Sequence, residues 1–272
     1  MFNKNFISKI ITFHYIILIM QYTIHHIYIF LCYIKKKKIN KDNFLLCCSS
    51  PKKIKNLELE LNKQIDKFLK YSKRKIFIYI EVGVFLGDTT CRIGKILKKK
   101  LKKNFKIITI DPFIPYSGLS RYEFNIRSVY KYFKHNISVE KLDDNLEHFK
   151  IKSADAYKKL RNKVFFDFCY IDGSHKYYDV KNDIKKFKNL IVKSTKYRGI
   201  MMGDDFNYTY EELLKFNNNL FLLKKLKKKY LYYDSQVNFY NRYFFPGVTF
   251  AIKDLNLRIK KTKTGLWKYL PL

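Results

Sequence analysis

From residue 75 onward the chain alternates two kinds of segment. Short apolar runs are followed by longer stretches in which apolar residues recur every three or four positions. IFIYIEV (76–82), KIITID (106–111) and VFFDFCYID (164–172) are rich in β-branched and aromatic residues and predict strands. HFKIKS (148–153) is a weaker strand, GIMMGDD (199–205) a further one, and PGVTFAI (246–252) a late one. Between them, 91–101 carries Ile93, Ile96 and Leu97 at helical spacing, and 176–191 does the same with Val180, Ile184, Phe187 and Ile191. An earlier helix is predicted over about 53–72, with Leu57, Leu61, Ile65 and Phe68 on one face.

Strands that alternate with helices imply an α/β fold: a Rossmann-like, doubly wound, mostly parallel sheet with helices on both faces. The unbroken apolar run at 164–172 suits a strand buried on both sides. Sheets of this kind bind ligands at the carboxyl ends of their strands, near the switch in strand order. Glu81, Asp111, Ser153, Asp172, Asp204 and Asp205 all fall at or near such ends.

Ahead of this domain the pattern changes. Residues 10–34 contain no Asp, Glu, Lys or Arg, and Lys35–Lys38 follow at once. That length can cross a bilayer as an N-terminal hydrophobic helix, although His14, Gln21, Thr23, His25 and His26 interrupt it. A membrane anchor is the first reading. A targeting leader and an in-plane amphipathic helix are the others. If the segment spans, Lys35–Lys38 and Lys41 outweigh Lys4 and Lys9, which places the following domain in the cytosol; a leader would instead send the protein to an organelle. The chain therefore divides into a hydrophobic segment at 1–35, a basic linker and helix at 36–75, and the α/β domain at 76–272.

Composition changes this picture little. A chain of 272 residues, 47% apolar, can bury a real core. Its net charge of +33 raises a nucleic-acid reading, which is not favoured: the lysines are spread through the chain in runs such as 98–103 and 224–229, and Asn, Ile, Phe and Tyr are abundant with them. The five cysteines form no C-x-x-C pair, so no zinc site is expected, and their odd count and scattered positions argue against a disulfide framework.

The chemistry lies at the strand ends. The turn Glu81-Val82-Gly83-Val84-Phe85-Leu86-Gly87-Asp88-Thr89-Thr90 has glycines where a backbone must turn tightly, and acids where a phosphate site would carry cations. It lacks the G-x-G-x-x-G dinucleotide pattern and suits a ligand with a cationic end. A carboxylate at Asp111 can accept hydrogen bonds from both hydroxyls of a ribose. An ordinary strand-to-helix turn is the competing explanation of the glycines.

This segment resembles the E-x-G-x-x-x-G-x-[ST] cofactor loop of class I methyltransferases. Tyr170-Ile171-Asp172-Gly173-Ser174-His175-Lys176-Tyr177 and Gly203-Asp204-Asp205 resemble the I-D-G-x-H-x-Y and G-D-D blocks of the macrocin-O-methyltransferase-like branch. The resemblance covers about 76–253. It implies that Glu81, Gly83 and Gly87 border the methionine part of S-adenosylmethionine, that Thr89 or Thr90 closes the loop, that Asp111 holds the ribose, and that Ser153 and Ala154 lie beside the adenine. Lys152 departs from the family pattern at that last place.

Asp172, Asp204 and Asp205 end strands expected to be neighbours. Three converging carboxylates repel unless a cation joins them or one is protonated. A hard divalent cation, Mg²⁺ above all, fits an all-oxygen set. Such an ion would acidify a substrate hydroxyl, Asp172 or a nearby group would take the proton, and the alkoxide would attack the sulfonium methyl. His175 is a supporting group, a base, or a helix-start histidine that serves structure alone. A common Asp-Gly turn and a helix cap are the plain alternatives for these acids. The expected function is thus O-methylation of a small hydroxylated substrate. The alternatives are an RNA or protein methyltransferase and a non-catalytic, membrane-tethered module. Tyr116, Tyr122, Phe124, Tyr130, Tyr132 and Phe133 interrupt the alternation between 112 and 146 and suggest a lid.

Overall fold

The computed structural model describes residues 27–39, 50–114, 126–216, 220–234, 236–239 and 242–271. Strands β1 (Phe77–Val82), β2 (Phe105–Ile110), β3 (Leu146–Phe149), β4 (Phe168–Ile171) and β5 (Ile200–Gly203) form the parallel part of a seven-stranded sheet. Beyond β5 come α7 (Tyr210–Phe216), α8 (Leu220–Lys229) and a separate antiparallel pair, β6 (Val237–Phe239) and β7 (Arg242–Phe244). With β8 (Ile259–Lys261) and β9 (Trp267–Tyr269), the order of the large sheet is β3-β2-β1-β4-β5-β9-β8. Within it only β9 and β8 run against their neighbours. The order reverses between β1 and β4, so the carboxyl ends of those two strands border the crevice where such sheets bind ligands.

Period-two alternation decides which side chain faces which layer. Phe77, Tyr79, Phe105, Ile107, Phe168, Tyr170 and Met202 face one way. There they meet α2 (Pro51–Tyr71) through Leu57, Leu61, Ile65 and Phe68, and α3 (Asp88–Leu101) through Cys91, Ile93, Leu97 and Leu101. Ile80, Val82, Ile108, Ile110, Cys169, Ile171 and Met201 face the other way. They pack on α5 (Ser153–Leu160), α6 (Tyr177–Phe187) and α9 (Pro246–Leu255). Helices therefore cover both faces, as expected. α2 shares the core of the sheet instead of standing apart from it.

The helix expected over 176–191 stops at Phe187, and Ile191 instead bridges to Phe166; two expected strands differ as well. The third strand lies at Leu146–Phe149, a few residues earlier than 148–153. The run 246–252 is part of α9, not a strand. Seven residues that are apolar on every side look alike in a buried helix and a buried strand. Pro246 at the first helical position was the deciding signal.

Residues 1–26 of the N-terminal segment lie outside the described residues. Residues 27–34 are helical (α1), with Ile29 and Cys32 buried among Leu86, Val129 and Tyr132. The last two belong to α4 (Ile126–Val139). The following residues stay docked: Asn136 bonds both the N–H and the C=O of Ile39, at 2.7 and 2.9 Å. Among the described residues no helix is long and apolar enough to cross a membrane. Of the aromatic stretch expected as a lid, Tyr116, Tyr122 and Phe124 lie outside the described residues. Tyr132 and Phe133 are buried in α4.

Candidate active site

The glycine loop is braced by the protein itself. Gly83 and Gly87 have φ of +83° and +80°, and Phe85 between them is also left-handed. A Cβ on Gly83 would stand 2.2 Å from the carbonyl oxygen of Asp172, so this glycine lets the β1 and β4 loops touch. Gly87 caps α3 and lies under Phe133. Asp111 holds the loop from the end of β2. One of its oxygens accepts the N–H groups of Val84 and Phe85 at 2.9 and 3.1 Å, and the other that of Phe113 at 2.8 Å. Burial raises the Asp111 pKa while these donors pull against it. Three of the roughly four acceptor positions of a carboxylate are thus in use, and one remains.

The other residues expected at the cofactor divide. Glu81 is buried on the α3 side of β1 and accepts hydrogen bonds from Tyr79 and Thr90, at 3.1 and 2.9 Å. Burial pushes its pKa up to about 8. Thr90 therefore binds Glu81, while Thr89 sits in the first turn of α3. Ser153 and Ala154 open α5, as their strand-end position predicts. The Ser153 hydroxyl is engaged, donating to the buried Asp183 at 2.6 Å. Beside Asp111, a cluster of Phe113, Tyr130, Phe133 and His148 closes the ends of β2 and β3.

The acidic blocks meet as the strand order requires. Ile171 pairs with Gly203, and the N–H of Asp204 reaches Ile171 O at 3.1 Å, so Asp172 and Asp204 leave adjacent strands together. Asp205 turns left-handed, with φ +60°. This sparsely populated conformation turns Asp205 toward His175, while Asp204 and Asp205 share Lys53. Ligand atoms of Asp172, His175 and Asp205 lie within 4.8 Å of one another. Asp204 instead receives the ammonium of Lys53, which also bonds Asp205 at 3.1 Å, and the Tyr170 hydroxyl at 3.3 Å. The convergent set is therefore two carboxylates and an imidazole, where the sequence suggested three carboxylates.

His175 is fixed from three sides. Its Nδ1 lies 3.0 Å from Asp234 Oδ1, its backbone N–H bonds Asp234 Oδ2, and its ring stacks on Phe245 at 3.8 Å. Nε2 is 2.8 Å from Asp205 Oδ2, yet it is buried without a well-directed hydrogen bond. Burial would lower the His175 pKa, but Asp205 and Asp234 outweigh it and raise it well above its usual value. Burial would likewise raise Asp205, and His175 and Lys53 hold it well below the ordinary carboxylate range. Asp204 moves up, through burial and its neighbour Asp205. A water-sized cavity bordered by Asp172, His175, Asp204, Val248 and Trp267 lies beside this group.

Lys53, Asp234, Phe245 and Trp267 were not singled out by the sequence. For Asp234 a signal exists: in a strongly basic chain it is the only acid between Glu212 and Asp254. Lys53 has none, since Lys and Arg number 56.

Residues 80–206 match a family model described as a methyltransferase domain, which takes in the glycine loop and both acidic blocks. No curated protein matches the chain. Among solved structures, the O-methyltransferase from Bacillus cereus in complex with SAH is 14% identical, covering 82% of each chain, at a TM-score of 0.46. The calicheamicin methyltransferase CalS11 is 11% identical, covering 81% of this chain and 80% of that one, at 0.47. The O-methyltransferase NovP is 12% identical, covering 80% and 78%, at 0.46.

Proposed function

We propose that the protein is a class I, S-adenosylmethionine-dependent methyltransferase, in line with the methyltransferase-domain match over residues 80–206, and that it methylates an oxygen of a small hydroxylated molecule with the help of a divalent cation. The observation that carries this reading is the convergence of Asp172, His175 and Asp205, with His175 Nε2 buried and 2.8 Å from Asp205 Oδ2. A hydrogen bond from Nδ1 to a carboxylate is how proteins aim the other ring nitrogen at a metal. These three residues would hold the ion, which when bound lowers the pKa of a coordinated hydroxyl. With one imidazole in the set, Mn²⁺ suits it as well as Mg²⁺.

The chain's own residues do the rest. Asp234 and Phe245 hold the imidazole ring in place. Asp172, at the carboxyl end of β4 and against the Gly83 loop, is placed to take the hydroxyl proton. Asp111 keeps the glycine loop turned at the switch point and offers its remaining acceptor position to the cofactor ribose. The substrate oxygen then forms a bond to the methyl carbon as the bond from that carbon to the sulfonium sulfur breaks, leaving a thioether. Positioning of the two reactants supplies much of the acceleration.

The test is equilibrium dialysis of the full chain against labelled S-adenosylmethionine, with and without Mg²⁺. Saturable binding is expected; none at millimolar cofactor would overturn the reading. A second reading, a non-catalytic module of this fold, draws support from the carboxylates being occupied by Lys53, and the same dialysis separates the two. For location, exposed Ile27, Phe30 and Ile34 beside Lys35–Lys37 support contact with an anionic membrane surface. Co-sedimentation with anionic vesicles that fails would remove that idea.

A further inference from the structure

We propose that Lys53 is a tethered cation that competes with the divalent ion for Asp205, so that the ion enters as the ammonium leaves. The proposal rests on the metal reading above and concerns how that site is controlled. Lys53 stands in the first turn of α2, and its side chain is 16% exposed. Its ammonium contacts Asp204 Oδ1 and, at 3.1 Å, Asp205 Oδ1. The other oxygen of Asp205 faces His175 Nε2 at 2.8 Å. One carboxylate is therefore shared between the candidate metal set and the lysine.

Two carboxylates side by side in a buried site need compensating charge. Lys53 supplies it from within the chain, 151 residues away from Asp204 in sequence. A divalent ion brought to Asp205 would meet this ammonium at close range, where little water screens the repulsion. Each cation must then weaken the other's hold, and by the same factor. The lysine stem is long and flexible enough to withdraw without unfolding α2. Its stem lies against the turn at Gly265, where a Cβ added to the glycine would stand 3.5 Å from Lys53 Cε and 2.2 Å from Asn207 Oδ1. Withdrawal would free Asp204 as well as Asp205, so entry of the metal would change both partners of the strand-end pair.

The experiment titrates Mn²⁺ into the full chain and follows quenching of Trp267, the single tryptophan, which packs on Gly203 and borders the same cavity as Asp204. Free Mn²⁺ is counted independently by electron paramagnetic resonance. Lys53→Met should bind Mn²⁺ about tenfold tighter than the parent or better. Lys53→Arg, which keeps the charge, should stay within about threefold of it. Without metal, Lys53→Met should melt below the parent, and Mn²⁺ should close that gap. If Lys53→Met does not fold, Lys53→Gln retains donors for the two carboxylates and carries the same expectation. Equal or weaker binding in these neutral variants, with binding abolished by Asp205→Asn, would overturn the competition while leaving the metal site intact. Absence of Mn²⁺ binding in the parent and in every Lys53 variant would overturn both.

Discussion

Asp234 clamps His175 through both of its oxygens: Oδ1 lies 3.0 Å from the ring Nδ1 and Oδ2 accepts the backbone N–H at 3.1 Å. One buried carboxylate thus sets the position of the residue and the rotation of its ring. It also places a proton on Nδ1, leaving Nε2 as the nitrogen that faces Asp172 and Asp205.

Replacing Asp234 by Asn should therefore weaken metal binding without removing a metal ligand. We predict a loss of about 10- to 100-fold in Mn²⁺ affinity, the size of effect typical of groups that orient a ligating histidine. Calorimetric titration measures it, with circular dichroism as the check on folding. An affinity equal to the parent's would show that Asp234 only packs.

Asp205→Asn separates charge from backbone geometry. Asn tolerates the left-handed φ of +60° about as well as Asp, so the turn should persist. Mn²⁺ affinity should fall by at least about a hundredfold, since the ion loses a charged ligand. Methyl transfer should fall with it. Activity that survives this change would rule out metal assistance.

Gly83→Ala tests the contact between the β1 and β4 loops. The new Cβ would lie 2.2 Å from Asp172 O, and φ at +83° is strained for any side chain. A loss of roughly 2–4 kcal/mol in denaturant unfolding is expected. Cofactor and Mn²⁺ binding should weaken together, because Asp172 must move. A change confined to the cofactor would point to direct ligand contact at Gly83 instead.

The pH dependence of stability should carry the mark of Asp183. Burial raises its pKa to about 7, against 3.8 for the ordinary group. The folded state then holds a proton that the unfolded state has already released, so stability falls as pH rises from about 4 to 7. Asp183→Asn should flatten this slope and raise stability at pH 8, by on the order of 2–4 kcal/mol. Melting curves of the two proteins at pH 5 and pH 8 make the comparison. Parallel curves would place the titration elsewhere.

Much of the fold was legible because strand and helix periods are local. The runs 76–82, 106–111 and 164–172 mark β1, β2 and β4, and Leu57, Leu61, Ile65 and Phe68 mark the buried face of α2. Legibility failed where periodicity carried no information, as in α9, whose apolar residues fill every side.

The site divides in the same way. The sequence by itself determined that Asp111, Asp172, Asp204 and Asp205 stand at strand ends, because the alternation of strand and helix sets where each strand stops. Which partner each acid takes was decided only by the tertiary structure. Asp111 braces the glycine loop, Asp204 goes to Lys53, and His175 joins Asp172 and Asp205 with Asp234 behind it. Lys53 and Asp234 reach the site from 151 and 59 residues away, out of α2 and the segment after α8 (Leu220–Lys229). A charge finds its partner across such distances through the order of strands and the packing of layers. No local pattern of residues records that, and it made the difference between three repelling carboxylates and a compensated cluster.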